Sequence, residues 1–170
     1  MNSNTFHPYI MEEHKDIYST VLKDQKHIIF YGGEGLGKYY QSIEFIRQYS
    51  PSKLKYNKKM LIDDEEYYIK LSDIHFEIDF LTLGCNYKTL FDKIQKQIRN
   101  SMESTGLKRA FILCKNFHSI NKDLIHNFKN IMIEQCVYIL NTEHLCFFPN
   151  DLINKFYVIA LKEIKKKYLK

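Results

Sequence analysis

The chain has 170 residues, 45% of them hydrophobic, with only six glycines and three prolines, which predicts one folded domain and excludes a disordered or low-complexity sequence. The formal net charge of +5 is modest and does not by itself indicate a nucleic-acid-binding protein. No apolar run approaches the roughly 18 to 20 residues that span a bilayer, and the first residues lack the features of a signal peptide, so we expect an intracellular protein without a membrane segment.

Cysteine and histidine spacing favours free thiols and gives little support for a metal site. The cysteines are far apart, no CxxC pair occurs, and the histidines form no HxxH or HExxH pair. At least two cysteines lie in apolar, strand-like runs, so we predict buried free thiols in a reducing compartment rather than disulfides. The four positions are Cys85, Cys114, Cys136 and Cys146.

Apolar spacing predicts a helix, a strand and a second helix in the first part of the chain. Residues 9–24 have a near-helical period behind Pro8, which suits a first helical turn. Residues 27–31 form a short apolar run that ends in glycines, which is typical of a buried parallel strand. After a glycine-rich loop, residues 38–50 predict a helix that stops before Pro51.

A β-rich region follows. Residues 58–63 and 65–72 predict a hairpin around an acidic turn. Residues 74–81 alternate apolar and polar side chains with the strand period of two. We expect the polar members of this strand to be ordinary outward-facing residues; they are His75, Glu77 and Asp79.

The rest of the chain alternates helices and strands. The predicted helices are 86–102, 121–133 with Asn121 as its cap, and a short helix or turn at 147–155. The predicted strands are 109–114, 136–140 and 156–161. Strands that alternate with helices imply βαβ units and a mostly parallel sheet. We therefore predict one α/β domain with a three-layer αβα core over residues 1–161, followed by a basic C-terminal tail at 162–170.

The segment YGGEGLGKYY, residues 31–40, fits a phosphate-binding loop in which one residue is exchanged. The pattern is GxxxxGK followed by Ser or Thr, and it needs a strand before the loop and a helix after it. Gly32, Gly37 and Lys38 fit, whereas Tyr39 stands where the small hydroxyl belongs. The predicted nucleotide-binding residues are Gly32, Gly33, Glu34, Gly35, Leu36, Gly37, Lys38 and Tyr39.

The residues that would handle magnesium are altered. The Tyr39 phenol is too long to replace a serine hydroxyl, and Glu34 puts a negative charge inside the loop. The second half of such a site is an apolar strand that ends in carboxylates, but the matching strand here ends in Lys115 and Asn116. Carboxylates from the strand at 74–81 are a less favoured replacement. We therefore expect no catalytic residue and no bound metal, and ATP, if it binds, to bind weakly.

With these motifs in place, the sequence resembles the ATPase domain of clamp-loader small subunits, the replication factor C type of AAA+ protein with a RecA-like core. It looks most like the divergent versions encoded by large DNA viruses. Residues 27–38 resemble the strand and Walker A loop, and 109–132 resemble the Walker B strand with the helix behind it. Residues 136–161 resemble the sensor-1 strand and the segment after it, and 71–98 resemble the viral group specifically.

The resemblance implies roles for individual residues. Lys38 aligns with the phosphate-binding lysine, and Asn141 with a polar sensor of the γ-phosphate, although a polar residue that closes a strand would look the same. Asn154 and Lys155 fall on the Ser-Arg pair whose arginine reaches a neighbouring subunit, and lysine loses the planar fork of arginine. The lid and collar that follow in clamp-loader subunits are expected to be absent.

Three functional hypotheses follow. The preferred one is a degenerate, non-hydrolysing module that binds protein partners in viral DNA replication or a related assembly, in the host cytoplasm or a viral factory, with Lys115 as a fixed cation in place of magnesium. The alternative is an active ATPase subunit of a clamp loader or replication complex, completed by partner subunits. A third is a DNA-binding accessory factor that uses the basic tail and four further lysines, which are Lys53, Lys55, Lys58 and Lys59.

Overall fold

The computed structural model describes residues 18, 20–21, 23–24, 26–62 and 67–162. Its strands are β1 (His27–Tyr31), β2 (Lys58–Leu61), β3 (Tyr68–Leu71), β4 (His75–Asp79), β5 (Ala110–Lys115), β6 (Cys136–Thr142) and β7 (Phe156–Ala160). Its α-helices with described bounds are α1 (Lys38–Arg47), α2 (Tyr87–Thr105), α3 (Lys122–Ile131) and α4 (Asn150–Ile153). Short 3₁₀ turns at Phe80–Thr82 and Phe117–Ser119 follow β4 and β5.

The seven strands form one sheet in the order β2-β3-β4-β5-β6-β1-β7. The five strands from β4 to β7 in this order are parallel, and β2 and β3 extend them as an antiparallel hairpin. Because parallel strands share one direction, their carboxyl ends meet at a single edge of the sheet. The predicted mostly parallel sheet and the predicted hairpin are both confirmed.

Helices cover both faces of the sheet, so the predicted three-layer αβα architecture is confirmed. On one face, α2 and α3 bury an apolar cluster that includes Phe91 and Phe128 against the strands. On the other face, α1 packs through Phe45, together with Tyr18 and Val21. β5 and β6 contribute alternate residues to both clusters, as expected for strands buried on both sides.

Local signals placed most elements correctly. The amphipathic period of α2 has its buried residues on one face, and Gly106 in the left-handed conformation ends the helix. Asn121 caps α3, since its side chain accepts a hydrogen bond of 2.8 Å from the Asp123 N–H. The short helix predicted near the end of the chain is α4.

The prediction for β4 is wrong in one respect. Its polar residues do not face solvent: His75 is 1% exposed and Glu77 is 3% exposed. Alternation normally marks a half-buried strand, but here the polar face of β4 points towards α1, whose Tyr39 reaches Glu77. Only Asp79, at the end of the strand, is partly exposed.

Several other predictions meet the structure only in part. The predicted helix at 9–24 lies largely outside the described residues. Within that range, the described residues Tyr18, Thr20 and Val21 are helical. The tail beyond residue 162 also lies outside the described residues. The cysteines are free thiols; Cys114 and Cys136 are buried as predicted, whereas Cys85 and Cys146 are exposed because they lie outside the strands. None of the described helices is long and apolar enough to cross a bilayer.

Candidate functional site

The glycine loop and the ends of β5 and β6 come together at the carboxyl edge of the parallel strands. The loop leaves β1 after Tyr31 and enters α1 at Lys38. Lys115 ends β5, and Asn141 lies near the end of β6, paired in register with Phe30 of β1. This edge is where ligands bind in open α/β sheets.

The loop backbone depends on glycine at two positions. Gly32 has a φ of +151°, and a Cβ there would lie 2.7 Å from the carbonyl oxygen of Leu161. The Gly32 N–H donates to the Thr142 carbonyl at 3.2 Å, which ties the loop to β6. Gly37 caps α1 in the left-handed conformation, with a φ of +80° and no side chain over the first turn. The first N–H groups of α1 are therefore open towards the loop, as in an anion-binding helix terminus.

The Lys38 ammonium is bonded to the loop itself. Its Nζ donates to the carbonyl oxygens of Gly32 and Gly33, each at 2.7 Å. Partial burial lowers the pKa of Lys38, and attraction to the carboxylates of Glu143 and Glu34 offsets only part of that effect. A phosphate would have to draw this ammonium away from two carbonyl partners.

Tyr39, the residue exchanged in the motif, is tied to the neighbouring strands. Its hydroxyl donates to Glu77 Oε1 at 3.0 Å and accepts from Lys70 Nζ at 3.0 Å. The ammonium groups of Lys70 and Lys115 each lie 5.8 Å from the centre of its ring, close enough for a cation–π interaction. The ring thus lies between α1 and the carboxyl end of β5.

Glu77 is the buried centre of this network. Lys70 Nζ and His75 Nε2 each lie 3.2 Å from Oε1, and Lys115 Nζ lies 3.6 Å from Oε2. Burial alone raises the pKa of Glu77, but the hydrogen bond from His75 and the attraction of the Lys70 and Lys115 ammonium groups outweigh it and lower the pKa from 4.5 to about 2. Glu77 is therefore ionised throughout the physiological pH range.

The orientation of His75 is fixed by Ser72. The Ser72 hydroxyl contacts His75 Nδ1, and its oxygen accepts the N–H groups of Ile74 and His75. The hydroxyl proton is then directed at Nδ1, so Nε2 carries the ring proton and donates to Glu77. The contacts from Ser72 to His75 and from His75 to Glu77 thus stabilise the ionised carboxylate of Glu77.

Lys115 and Asn116 occupy the end of β5, where the motif calls for carboxylates. Lys115 Nζ lies between two acids, 3.6 Å from Glu77 Oε2 and 3.6 Å from Asp79 Oδ2. Asn116, in the left-handed conformation, donates from Nδ2 to Asp79 Oδ1 at 2.9 Å. The carboxylates missing from β5 are thus present on its neighbour β4, and they are paired with a protein ammonium.

Asn141, the predicted sensor, lies beneath the loop and is 4% exposed. Its Oδ1 is 2.8 Å from the Ser42 hydroxyl of α1, which also contacts the Lys38 carbonyl at 2.9 Å. The side chain therefore braces α1 against β6. A sensing role stays a prediction.

Lys155, the predicted finger-like residue, is not part of this site. It precedes β7, and its carbonyl accepts the N–H of His27, the first residue of β1. Lys155 and Asn154 are exposed at the amino edge of the sheet, opposite the loop. From there Lys155 cannot reach the loop of its own chain, so a role in contacting nucleotide requires a second chain.

Sequence reasoning gave too little weight to Glu77 and missed Lys70 and Glu143 altogether. Glu143 directly follows β6 and is near enough to raise the pKa of Lys38. Sequence signals were present for Glu77 and Glu143: Glu77 is charged and has apolar neighbours on both sides in its strand, and Glu143 follows a strand that ends beside the loop. Lys70 carried no such signal, since an exposed hairpin lysine is ordinary.

The residues present do not fit a magnesium ion at the usual position. Magnesium needs oxygen ligands at about 2.0–2.1 Å in octahedral geometry. Here the Tyr39 phenol replaces the hydroxyl ligand and bonds to Glu77, and Lys115 places a positive charge between the two carboxylates. Among the described residues, no group of three or more His, Cys, Asp or Glu side chains is arranged to hold a metal ion.

The loop fits a phosphate group only in part. The glycine backbone, the open first turn of α1 and Lys38 are the parts that a phosphate requires. The charges of Glu34 and Glu143 oppose an anion there. The site therefore keeps the shape of a phosphate cradle with weakened electrostatics.

Comparison with known proteins supports the fold. No protein-family profile and no curated protein matches the sequence. Among solved structures, PCH-2 of C. elegans is similar over 93% of this chain and 43% of its own, at 12% identity and a TM-score of 0.51. Cdc6p of Pyrobaculum aerophilum is similar over 94% of this chain and 46% of its own, at 11% identity and a TM-score of 0.57.

The chain spans less than half the length of either structure. Both are AAA+ ATPases, and similarity at this identity concerns the fold alone. Together with the strand order and the glycine loop between β1 and α1, it shows that the chain has the α/β fold of an AAA+ P-loop NTPase core.

Proposed function

We propose that this domain is a P-loop module that has kept its scaffold but does not hydrolyse ATP, and that it acts by binding other proteins. The observation that carries the proposal is the network around Glu77. Tyr39, Lys70, His75 and Lys115 all contact this buried carboxylate. The protein's own cations thus occupy the region where a catalytic P-loop protein holds magnesium.

Phosphoryl transfer depends chiefly on metal placement and charge stabilisation. A carboxylate already held by an ammonium group is a poor metal ligand, because the metal must displace a favourable ion pair. Glu34 and Glu143 beside the loop, and the two carbonyl oxygens that already hold the Lys38 ammonium, weaken ATP binding further. The proposal therefore predicts weak, metal-independent nucleotide binding and no turnover.

Thermal unfolding in the presence of ATP tests the binding step. A ligand of the folded state raises the melting temperature by mass action. We expect a small rise that is equal in EDTA and in magnesium and is lost in Lys38→Ala. An increase seen only with magnesium would contradict the proposal. Lys96→Ala, an exposed lysine on α2, is the matched control.

A phosphate-release assay tests catalysis. We expect the wild-type chain to release phosphate no faster than Lys38→Ala. Turnover that disappears in this variant would instead support an active ATPase. That second function has one observation in its favour, since Asp79 lies beside the end of β5 and is only partly buried.

We further propose that the partners are proteins of a DNA replication complex, of viral origin as the resemblance to divergent clamp loaders implies. The support is the similarity of the loop, the β5 segment and the β6 segment to that family. Affinity purification with and without ATP and magnesium tests it. Recovery of the same replication proteins in EDTA would support the proposal, and recovery only with ATP and magnesium would contradict a nucleotide-independent module.

A further inference from the structure

A cavity lies at the amino edge of the sheet, opposite the glycine loop, where β5, β6 and β1 begin. It has a volume of about 360 Å³, within the usual range of roughly 300–1,000 Å³ for small-molecule sites. Residues just before or at the start of these three strands line it. They are His27, Lys108, Arg109, Glu134, Gln135, Cys136 and Val137.

His27 presents a fixed hydrogen-bond donor at this cavity. The Tyr138 N–H donates to His27 Nδ1 at 3.2 Å, so Nδ1 is the acceptor and Nε2 carries the proton. The ring is held by Tyr138 and Phe156, with centroids 5.7 and 5.1 Å away. Burial, together with repulsion from Lys155, lowers the pKa of His27 to about 4, so the ring is neutral at physiological pH.

Two cations lie beside this donor. Lys108 and Arg109 are adjacent and exposed immediately before β5. In the part of the chain that the structure describes, no carboxylate lies within 4.0 Å of either side chain, although Glu134 lines the same cavity. A neighbouring cavity of about 520 Å³ shares Lys108 and adds Arg99.

We propose that this amino-edge cavity binds the phosphate group of a small molecule. Arg109 and Lys108 would neutralise its charge, and the His27 Nε2–H and the Gln135 amide would donate to its oxygens. The guanidinium fork of arginine matches phosphate oxygens in a bidentate manner. The site is independent of the glycine loop and of the proposed function.

A compact phosphate fits better than a nucleic-acid backbone. A backbone requires a stripe of cations, whereas Glu134 and Glu103 interrupt the positive charge at this edge. Arg109, which has no carboxylate partner among the described residues, lies with the neutral His27 donor in a concave site, and this arrangement suits one anionic group.

Inorganic phosphate is the probe for the test. It is titrated into the full chain carrying Lys38→Ala, which removes the loop lysine. Binding is followed by calorimetry and by the NMR signal of the His27 imidazole. Sodium chloride at equal ionic strength is the reference. We expect saturable binding that shifts this signal. Adding Lys108→Ala and Arg109→Ala should weaken binding by about tenfold or more, since two charge-assisted contacts are lost.

The matched control is the pair Lys96→Ala and Lys122→Ala, which removes the same charge from exposed positions on α2 and α3. The control should keep its phosphate affinity. An equal loss in the control, or no loss with Lys108→Ala and Arg109→Ala in a chain that retains its circular dichroism, would overturn the proposal. Displacement of phosphate by a short single-stranded oligonucleotide at lower concentration would overturn the assignment to a small molecule.

Discussion

At the scale of single residues, Glu77 determines what the candidate site can do. An ionised carboxylate buried on a sheet face is costly unless donors and cations compensate for the lost hydration. Tyr39, Lys70, His75 and Lys115 supply that compensation from four different positions in the chain. The exchange of the loop hydroxyl for a phenol and the lysine at the end of β5 therefore belong to one arrangement.

We expect Glu77→Gln to lower the unfolding free energy at neutral pH by about 2–3 kcal/mol, because Lys70 and Lys115 lose their buried partner. The folded pKa of about 2 lies below the ordinary value of 4.5. The stabilisation is therefore complete above pH 4.5 and is lost as the pH falls towards 2. Urea denaturation at several pH values measures the difference between wild type and variant.

That difference should shrink between pH 4.5 and pH 2, the window set by the two pKa values of Glu77. A difference that stays constant with pH would contradict the assignment of the charge to Glu77. Asp151→Asn is the control, because Asp151 is an exposed carboxylate whose ion pair with Lys129 lies in solvent. It should change stability little at any pH.

The double variant Tyr39→Thr, Lys115→Asp should acquire a response to magnesium. It would place a third carboxylate beside Glu77 and Asp79 and return a small hydroxyl to the loop, so a divalent cation would relieve the repulsion. We expect magnesium chloride to raise its melting temperature and to leave the wild type unchanged. Tyr39→Thr alone, which keeps Lys115, should not respond; an equal response in the wild type would refute the explanation.

At the scale of elements, the N-terminal ends of α2 and α3 differ in whether an asparagine side chain caps the helix. Asn121 and Asn86 precede α3 and α2 respectively, but only Asn121 has the extended conformation and the side-chain hydrogen bond of a cap. The same residue type therefore has different energetic roles at two helix starts. This difference provides an internal comparison.

We expect Asn121→Ala to lower the unfolding free energy by about 1 kcal/mol, since the Asp123 N–H loses its acceptor at the start of α3. Asn86→Ala is the control and should change stability by less than about 0.5 kcal/mol, because no cap bond is lost. Chemical denaturation of both variants measures the two values. Equal losses would show that the contact at Asn121 does not stabilise the helix.

Element types were predictable because apolar spacing records burial. The period of α2 and the apolar runs of β1 and β5 reflect the faces that these elements bury. The prediction that the polar residues of β4 face solvent was wrong, because α1 covers that face of the strand. That covering is a tertiary contact between Tyr39 and Glu77, and no local pattern contains it.

At the scale of the whole molecule, the glycine loop and the amino-edge cavity lie at opposite edges of the sheet. The residues that form them are only partly contiguous in the sequence. The glycine motif predicted the loop edge, because its residues are contiguous. The pairing of Asp79 with Lys115, and the meeting of His27 with Arg109 at the other edge, depend on strand order. Strand order is set by contacts between residues distant in sequence, which spacing alone does not determine.

The two apolar clusters are coupled through shared strands, so we expect the domain to unfold as one unit. Phe45 lies on the α1 face and Phe128 on the α3 face, both fully buried. β5 links the faces, since Phe111 and Ile112 point into opposite clusters. Phe45→Ala and Phe128→Ala should each lower the unfolding free energy by about 3–5 kcal/mol, and the milder Phe→Leu changes serve if either fails to fold.

Urea denaturation of each variant, followed by tyrosine fluorescence and by far-ultraviolet circular dichroism, tests this coupling. A shared sheet requires that both probes give one coincident transition with an unchanged dependence on urea, whichever face is truncated. Separate transitions would mean that each helical layer unfolds independently of the other. Coincidence would mean that a perturbation on either face reduces the stability of both edges, because the same strands carry the loop at one end and the amino-edge cavity at the other.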